Sequence, residues 1–460
     1  MVKAIIPVLD DNVKRPYYLQ VYDYIKQAIL HGEMRADEKL PSLRGLATQL
    51  SISITTIEQA YNQLTVEGYI YSKPQSGYFV SSITHAVDTA HVPHNLPLHI
   101  ALEEEVPTLL YDLACFNFTK WKKCMAKILT EYSPLLLFES DPQGEAALRH
   151  EISQYIYRSR GAICTPEQIV IGAGTQQITG QLTSILSKMG IGHIAVEEPG
   201  YLPVRSIFRD RGFVMTPVPV GREGVNITLL PSNIPSAVYV SPSNQFPTGA
   251  VMPVGKRYEL LDWANRNNSI ILEDDYDSEL RYFGKPIPAM QGLDTNQRVV
   301  YLGSFSSTTF SSMKISYMVL PPTMAKIFRS ICSDYVQTCS KTEQLTLALF
   351  MEQGLYQTNI KKLRNLYAQK LQALISAFSK YGSALIKPIN TSSGINIIIN
   401  VETDRSAEDL CASALELGIL AIPVSLYTEG ADSATSVIIY YNRIPLDQID
   451  PLIAKLVKKW

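Results

Sequence analysis

From about residue 111 onward the chain repeats one pattern. A short apolar run closes on small or polar residues, and a stretch of helical character follows. The runs are QIVIGAG (168–174), HIAVEEP (193–199), AVYVSPS (237–243), SIILEDD (269–275), VVYLGSF (299–305) and ISYMVLP (315–321). Strands that alternate with helices predict a mostly parallel sheet. Such a sheet gathers its ligands at the carboxyl ends of its strands, where these small and polar residues lie. After about residue 335 the order changes. The long stretches EQLTLALFMEQG (343–354) and NIKKLRNLYAQKLQALISAFSKYG (359–382) precede strand candidates GINIIINV, ILAIPVSL and SVIIYYN. That predicts a separate small α+β lobe, so the expected class is α/β with a smaller carboxyl-terminal lobe.

Residues 17–80 follow a different plan. YYLQVYDYIKQAILHG places Tyr18, Val21, Tyr22, Ile25 and Ile29 on one helical stripe, and Gly32 stops it. LPSLRGLATQL starts a second helix with Ser42 as N-cap. SISITTIEQAYNQLTVEGYI gives a turn and a third helix with Ile57, Tyr61 and Leu64 facing in, and YIYSKPQSGYFV reads as a hairpin. Three helices and a hairpin make a winged helix-turn-helix over residues 1–80. Residues 81–110 have scattered prolines and no sustained period, and read as a linker.

Composition narrows the partners. The formal net charge is −2 over 460 residues, so no whole-chain basic bias announces nucleic acid, and any such surface must be local. The six cysteines are dispersed with no C-x-x-C pair, which suits reduced thiols. No apolar run reaches the roughly 18–20 residues of a membrane helix. The start MVKAIIPVLDDNVKR lacks a signal-peptide core, so a cytoplasmic protein is expected. The linker histidines His85, His91 and His94 have no Cys or acidic cluster to complete a metal site, and no metal is expected.

The first residues of the second helix of a helix-turn-helix meet base edges in the major groove. Here they are Ser53, Thr55, Thr56 and Gln59, short hydroxyls and an amide suited to base or phosphate oxygens. Arg44 starts the supporting helix, and Lys73, Gln75 and Ser76 sit on the wing tip, in reach of backbone or minor groove. The bland alternative is a small helical dimerisation domain. The module resembles the GntR family of bacterial repressors through Leu40-Pro41-Ser42, Arg44, Ala47, Thr56, Ala60-Tyr61, Leu64, Glu67-Gly68 and Gly77-Tyr78-Phe79-Val80. Ile54 departs from it, because the family carries an arginine there. Losing a bidentate arginine removes about 1–3 kcal/mol of base discrimination. Residues 1–80 hold about as many acids as bases, so non-specific binding is expected to be weak and operator binding to depend on two half-sites.

The strand ends of the larger region carry candidate ligand groups, each with a plainer reading. In IGAGTQQ, Gly174, Thr175 and Gln176 can offer N–H groups and a hydroxyl to a phosphate at a helix N-terminus, or merely turn the chain. In IILEDDYDSELRY, Asp274 just past a buried strand can hold a protonated ring nitrogen and Tyr276 can donate to a ring oxygen; a solvated acidic loop would look the same. Tyr201 in VEEPGYLPVR can stack on a ring or sit in a core. Asn244 and Gln245 precede a Pro-Thr-Gly turn. In GSFSSTTF (303–310), Ser304, Ser306 and Ser307 offer hydroxyls near Lys314.

Order and spacing together resemble the MocR subgroup of GntR regulators, in which a winged helix is fused to a fold-type-I aminotransferase-like domain built around pyridoxal 5′-phosphate (PLP). The resemblance rests also on DPQGEAALRHEISQYIYRSRGA, EEPGY, FPTG and EDDYDSELRY, and covers nearly the entire chain. It implies a DNA-binding transcriptional regulator that senses a small molecule, working as a head-to-tail homodimer on double-stranded operator DNA. Four slots depart from it. Ser307 takes the place of the lysine that bonds PLP covalently. Lys314 stands for a phosphate-binding arginine, keeping the charge but losing the fork. Glu139 replaces a tyrosine that reaches the partner's phosphate. Ile438 replaces the arginine that clamps a substrate carboxylate, and Arg443, five residues along, is not expected to substitute.

A serine hydroxyl is too weak a base at neutral pH to replace that lysine, so no catalytic residue and no transamination are expected. The expected function is a regulator whose inactive aminotransferase-like domain, residues 111–460, holds an effector, with PLP bound non-covalently or replaced by another compound. The alternatives are a PLP-dependent aminotransferase-type enzyme with an accessory DNA-binding domain, and a structural homodimer without a ligand.

Overall fold

The computed structural model describes residues 9–10, 14–82, 110–282, 287–382, 386–389, 393–428 and 435–460. The expected linker lies outside these residues except at its ends, and so do its histidines His85, His91 and His94. The chain divides into two compact units, Met1–Ala101 and Leu102–Trp460.

The first unit carries α1 (Tyr17–Leu30), α2 (Leu43–Leu50), α3 (Ile54–Val66) and the antiparallel hairpin β1 (Ile70–Lys73) and β2 (Gly77–Val80). Ser42 caps α2 by accepting from the Gly45 N–H at 3.0 Å, as its sequence position predicts. Ser53 caps α3 through the Thr56 N–H at 3.2 Å. Val21, Ile25, Ile57, Tyr61 and Leu64 are buried in one core; Tyr18 is half-buried at its edge. The Tyr61 hydroxyl donates to the Pro41 carbonyl at 3.0 Å and fixes the two helices of the reading pair against each other.

The second unit holds, in order, α4 (Phe118–Glu131), α5 (Ala146–Arg160), β3 (Ile169–Gly172), α6 (Thr175–Lys188), β4 (His193–Glu198), α7 (Leu202–Asp210), β5 (Val214–Gly221), β6 (Gly224–Val225), β7 (Ala237–Val240), α8 (Val254–Arg266), β8 (Ile270–Asp274), β9 (Val299–Ser304), β10 (Ser316–Val319), α9 (Pro322–Ile331), α10 (Lys341–Glu352) and α11 (Leu355–Tyr381). The small lobe follows with β11 (Ile386–Ile389), β12 (Asn396–Val401), α12 (Ala407–Leu415), β13 (Ala421–Pro423), β14 (Ser436–Tyr440) and α13 (Ile449–Lys459).

The main sheet has the order β3-β10-β9-β8-β7-β4-β5-β6. Its centre, β9-β8-β7-β4-β5, is parallel, while β10 runs antiparallel between β3 and β9. Side chains alternate across it. Val170, Ile194, Tyr239, Leu272 and Leu302 face one core, and Ile169, Ile171, Tyr301 and Tyr317 face another. This period of two explains why the strands read as continuous apolar runs: both faces are covered. Helix α10 packs in the second of these cores. The core of the small lobe begins at Leu363 on α11 and closes over an antiparallel sheet, β11-β12-β14-β13.

Candidate functional site

The parallel strands β8 and β9 end side by side, with Asp274 opposite Leu302. Beyond them opens a cavity of about 260 Å³ lined by Thr175, Tyr201, Phe246, Asp274, Asp275, Tyr276, Asp277, Ser304, Ser306, Ser307, Tyr427 and Tyr440. Asp274 is the last residue of β8, not a residue past it as the sequence predicts, and it is half-buried at the cavity wall. The Tyr239 hydroxyl donates to it. Its neighbour Asp275 points elsewhere and closes a buried pair with Arg160, Nε and Nη2 each at 2.8 Å. Tyr301 also donates to Asp275.

Asp277 was not anticipated. It is 2 % exposed and has a φ of +51°, a left-handed conformation unusual for a residue other than glycine. Its polar neighbours are the Ser307 and Tyr276 hydroxyls and the Ile395 N–H, which favour its ionised form. None of them meets both the distance and the angles of a good hydrogen bond, and both carboxylate oxygens are left without a partner. A buried carboxylate in that condition is costly unless a ligand completes it.

The walls are aromatic. Phe246 meets Tyr201, Tyr276 and Tyr427 edge-on, with centroids 6.1, 5.8 and 4.9 Å away. Ile438 lies fully buried among Phe246, Tyr276, Tyr427 and Tyr440, packed behind the aromatic wall. On the opposite side runs a chain of hydroxyls. Thr175 Oγ1 lies 3.4 Å from Ser316 Oγ, Ser316 Oγ donates to Ser304 Oγ at 3.0 Å, and Ser304 Oγ lies 2.7 Å from Ser306 Oγ. Thr175 opens α6, whose N-cap Gly174 has a φ of +88°; the stem of Lys314 lies within van der Waals reach of a Cβ built there. Helix N–H groups and hydroxyls together form an environment for an anion, whereas Lys314 is exposed and neither it nor Gly174 is among the residues lining the cavity.

Several predicted residues are not brought to this cavity. Gln176, one step round the helix from Thr175, lines a separate open groove with Gln177 and Gln181. Asn244 is buried and accepts from the Ser393 hydroxyl at 3.0 Å. Gln245 spends its amide on Pro199 and Thr248, at 2.8 and 2.6 Å. Both brace the turn that carries Phe246. Glu139 is exposed and outside the wall. Ser316, Phe246, Tyr427 and Tyr440 line or support the cavity although the sequence did not single them out as site residues.

Burial governs the acids. It raises the Asp274 carboxyl to about 7, with Tyr239 opposing and Asp275 and Asp277 adding. It raises Asp277 to about 6, opposed by Ser307 and Tyr276. An unfolded aspartate titrates near ~3.9. The native chain therefore keeps a proton on Asp274 between about pH 4 and pH 7 that the unfolded chain has lost. The associated stability is full below that window and is lost as pH rises through it. Asp274→Asn is expected to stabilise the ligand-free protein by about 1–3 kcal/mol more at pH 8 than at pH 5. Urea unfolding at the two pH values checks this; an equal effect at both would contradict it.

In the first unit, Arg44, Ser53, Thr55 and Gln59 are exposed on α2 and α3, and Thr56 is half-buried. The Ser53 hydroxyl is already engaged: besides the Thr56 N–H it meets Thr55 Oγ1 at 2.8 Å and Thr56 Oγ1 at 2.7 Å. Arg44 and Gln59 are left as the reaching side chains. On the wing, Gln75 (φ +61°) and Ser76 are exposed at the turn. The Lys73 ammonium lies over the rings of Phe79 and Tyr71, 4.6 and 5.3 Å from their centroids.

The two units thus define a class: a winged-helix module and an aminotransferase fold on one chain. Residues 17–80 match the gntR family of bacterial regulatory proteins, and residues 110–436 match the aminotransferase class I and II family. The chain is 37 % identical to the uncharacterised HTH-type transcriptional regulator YdeL of Bacillus subtilis, over 99 % of each chain. It is 30 % identical to the probable rhizopine catabolism regulatory protein MocR of Rhizobium meliloti, over 91 % of this chain and 88 % of that one. The kynurenine aminotransferase of Pyrococcus horikoshii shares the fold with a TM-score of 0.65 at 21 % identity, over 78 % of this chain and 91 % of that one. The chain belongs to the MocR-like HTH-type transcriptional regulators, which join a gntR-family domain to an aminotransferase class I and II domain. It is a DNA-binding transcriptional regulator. No helix among the described residues is long and apolar enough to cross a membrane.

Proposed function

We propose that this regulator reads a small molecule without forming a covalent bond to it. Residues 1–80 bind a paired operator through Arg44, Gln59 and the wing residues Lys73, Gln75 and Ser76. Residues 81–110 link them to an effector domain, 111–460, that works as a head-to-tail homodimer in the cytoplasm. The observation that carries the reading is Ser307: it faces Asp277 in the cavity, and the described lining residues include no lysine. PLP supplies an electron sink for amine chemistry when a protein bonds it to a lysine. Here the residues fit the group but not that bond. Asp274 would hold the ring nitrogen, Tyr276 the ring oxygen, the aromatic walls the ring faces, and Thr175, Ser304, Ser306 and Lys314 the phosphate. Ser307 would hydrogen-bond but not take up a proton at neutral pH. The domain is a receptor and not a transaminase.

A bound effector changes transcription only through a difference in affinity between two arrangements of the dimer. Full-length protein and selected operator DNA, measured by fluorescence anisotropy, test this. PLP, pyridoxal or an amino acid is expected to shift operator affinity by about fivefold or more. Arg44→Ala is expected to weaken binding about tenfold and to reduce the salt slope by about one. An operator affinity indifferent to every vitamin B6 compound and amino acid would count against the reading.

A further inference from the structure

A second cavity, of about 340 Å³, lies on the other side of Ser307. Ser306 and Ser307 line both cavities, so the two adjoin at these hydroxyl side chains. The second cavity differs in chemistry. Its body is apolar, with Leu113, Phe118, Phe310, Tyr367 and Ile395 in the wall. Leu113 and Phe118 are 69 % and 47 % exposed, an unusual state for large apolar side chains that line a hollow. One end is cationic. Arg443, which does not reach the first cavity, lines this one, and it makes no hydrogen bond or ion pair among the described residues. Next to it the Asn442 side-chain oxygen is enclosed without a partner.

The acid in the wall is already neutralised. Asp112 pairs with the fully buried Lys370 at 2.7 Å, and the same ammonium donates to the Asn442 carbonyl at 2.7 Å. Among the described lining residues no uncompensated negative charge therefore opposes Arg443. A free guanidinium at the end of an apolar hollow of this size selects a carboxylate with a hydrocarbon body, held by charge-assisted hydrogen bonds.

We infer that the cavity behind Ser307 is a second ligand site, for a small monocarboxylate with an apolar body, seated on Arg443. The site is distinct from the ring site and does not depend on what occupies that one. Its wall from Leu110 to Phe118 is the first described chain after the expected linker, and Leu110 is tied to the small lobe by its N–H to the Gly418 carbonyl at 2.9 Å. A ligand there would press on the segment that leads to the DNA-binding unit.

Isothermal titration of the full-length protein with benzoate and hexanoate tests it, with benzyl alcohol and hexan-1-ol as uncharged controls. The carboxylates are expected to bind at least about tenfold tighter than the alcohols. Arg443→Gln should remove that margin, Arg443→Lys should keep part of it, and PLP titration should be unmoved by either. Leu113→Glu, on an exposed side chain that the fold does not need, should also abolish carboxylate binding by placing a like charge in the wall. Carboxylates that bind no tighter than the alcohols, or that bind both Arg443→Gln and Leu113→Glu at native affinity, would overturn the proposal. Binding that survives Leu113→Glu in a folded protein while Arg443→Gln unfolds would overturn it as well.

Discussion

Ser307→Lys is expected to turn a protein that releases PLP on dialysis into one that keeps it. The reasoning is geometric. Position 307 lies three residues past the end of β9, at the carboxyl end of the parallel strands, and its side chain faces Asp277 inside the cavity. The remaining groups for a pyridoxal ring surround it: Asp274, the aromatic walls, and the hydroxyl chain from Thr175 to Ser306. An amine at 307 restores a nucleophile for the aldehyde. Retention after dialysis is expected to rise from a small fraction to roughly one PLP per chain, read by absorbance. Transamination is not expected to follow at a useful rate. Ile438 is buried among aromatic side chains and supplies no charge, so it gives an amino-acid carboxylate no anchor. If the lysine variant keeps no more PLP than the native protein, the cavity is not built for that ring and a different effector must be sought.

Arg160→Met should be the most damaging single change to stability. The guanidinium and the Asp275 carboxylate are each 2 % exposed as side chains. Arg160 makes two hydrogen bonds to Asp275, donates to Ser243 Oγ at 2.7 Å and reaches the Ile287 carbonyl. It ties α5 to the end of β8 and to the loop after β7. Removing it leaves a carboxylate buried beside Asp274 and Asp277 with Tyr301 as its remaining side-chain hydrogen-bond donor among the described residues and Arg257 as the nearby charge. Breaking one partner of such a pair costs about 3–5 kcal/mol. The double change Arg160→Met with Asp275→Leu removes both charges, and should recover much of the loss. Denaturant unfolding of the three variants checks this. A loss below about 1 kcal/mol in the single variant would mean that the pair contributes little.

The sequence carried the parts of this account that are local. Apolar runs became strands because both faces of the sheet are covered, and Ser42 could be placed as a cap because its hydroxyl serves an N–H three residues away. Asp274 and Tyr276 were readable because they end a strand, where parallel sheets collect ligands. What was not readable depends on distant contacts. Asp277 looked like one more acid in an acidic loop; only the fold buries it and aims it at Ser307. Tyr427 and Tyr440 come from the small lobe, about 150 residues downstream of Asp277, and no spacing rule ties them to β8. Gln176 fell outside the cavity because a helix turns about 100° per residue, so its neighbour Thr175 faces in while it faces out. Gln245 was misplaced for another reason. A buried amide must satisfy itself first, and Pro199 and Thr248 take its hydrogen bonds. The partner of Arg160 lies 115 residues away, so neither member of the pair announced its role.

In the proposed function the cavity holds its guest reversibly because no amine stands at 307. Incubating the native protein with PLP, reducing with borohydride and weighing the intact chain by mass spectrometry tests that claim most directly. The expected result is an unchanged mass after reduction, with PLP recovered free on denaturation. A chain heavier by one reduced pyridoxyl group, mapped to any lysine in the cavity, would contradict it.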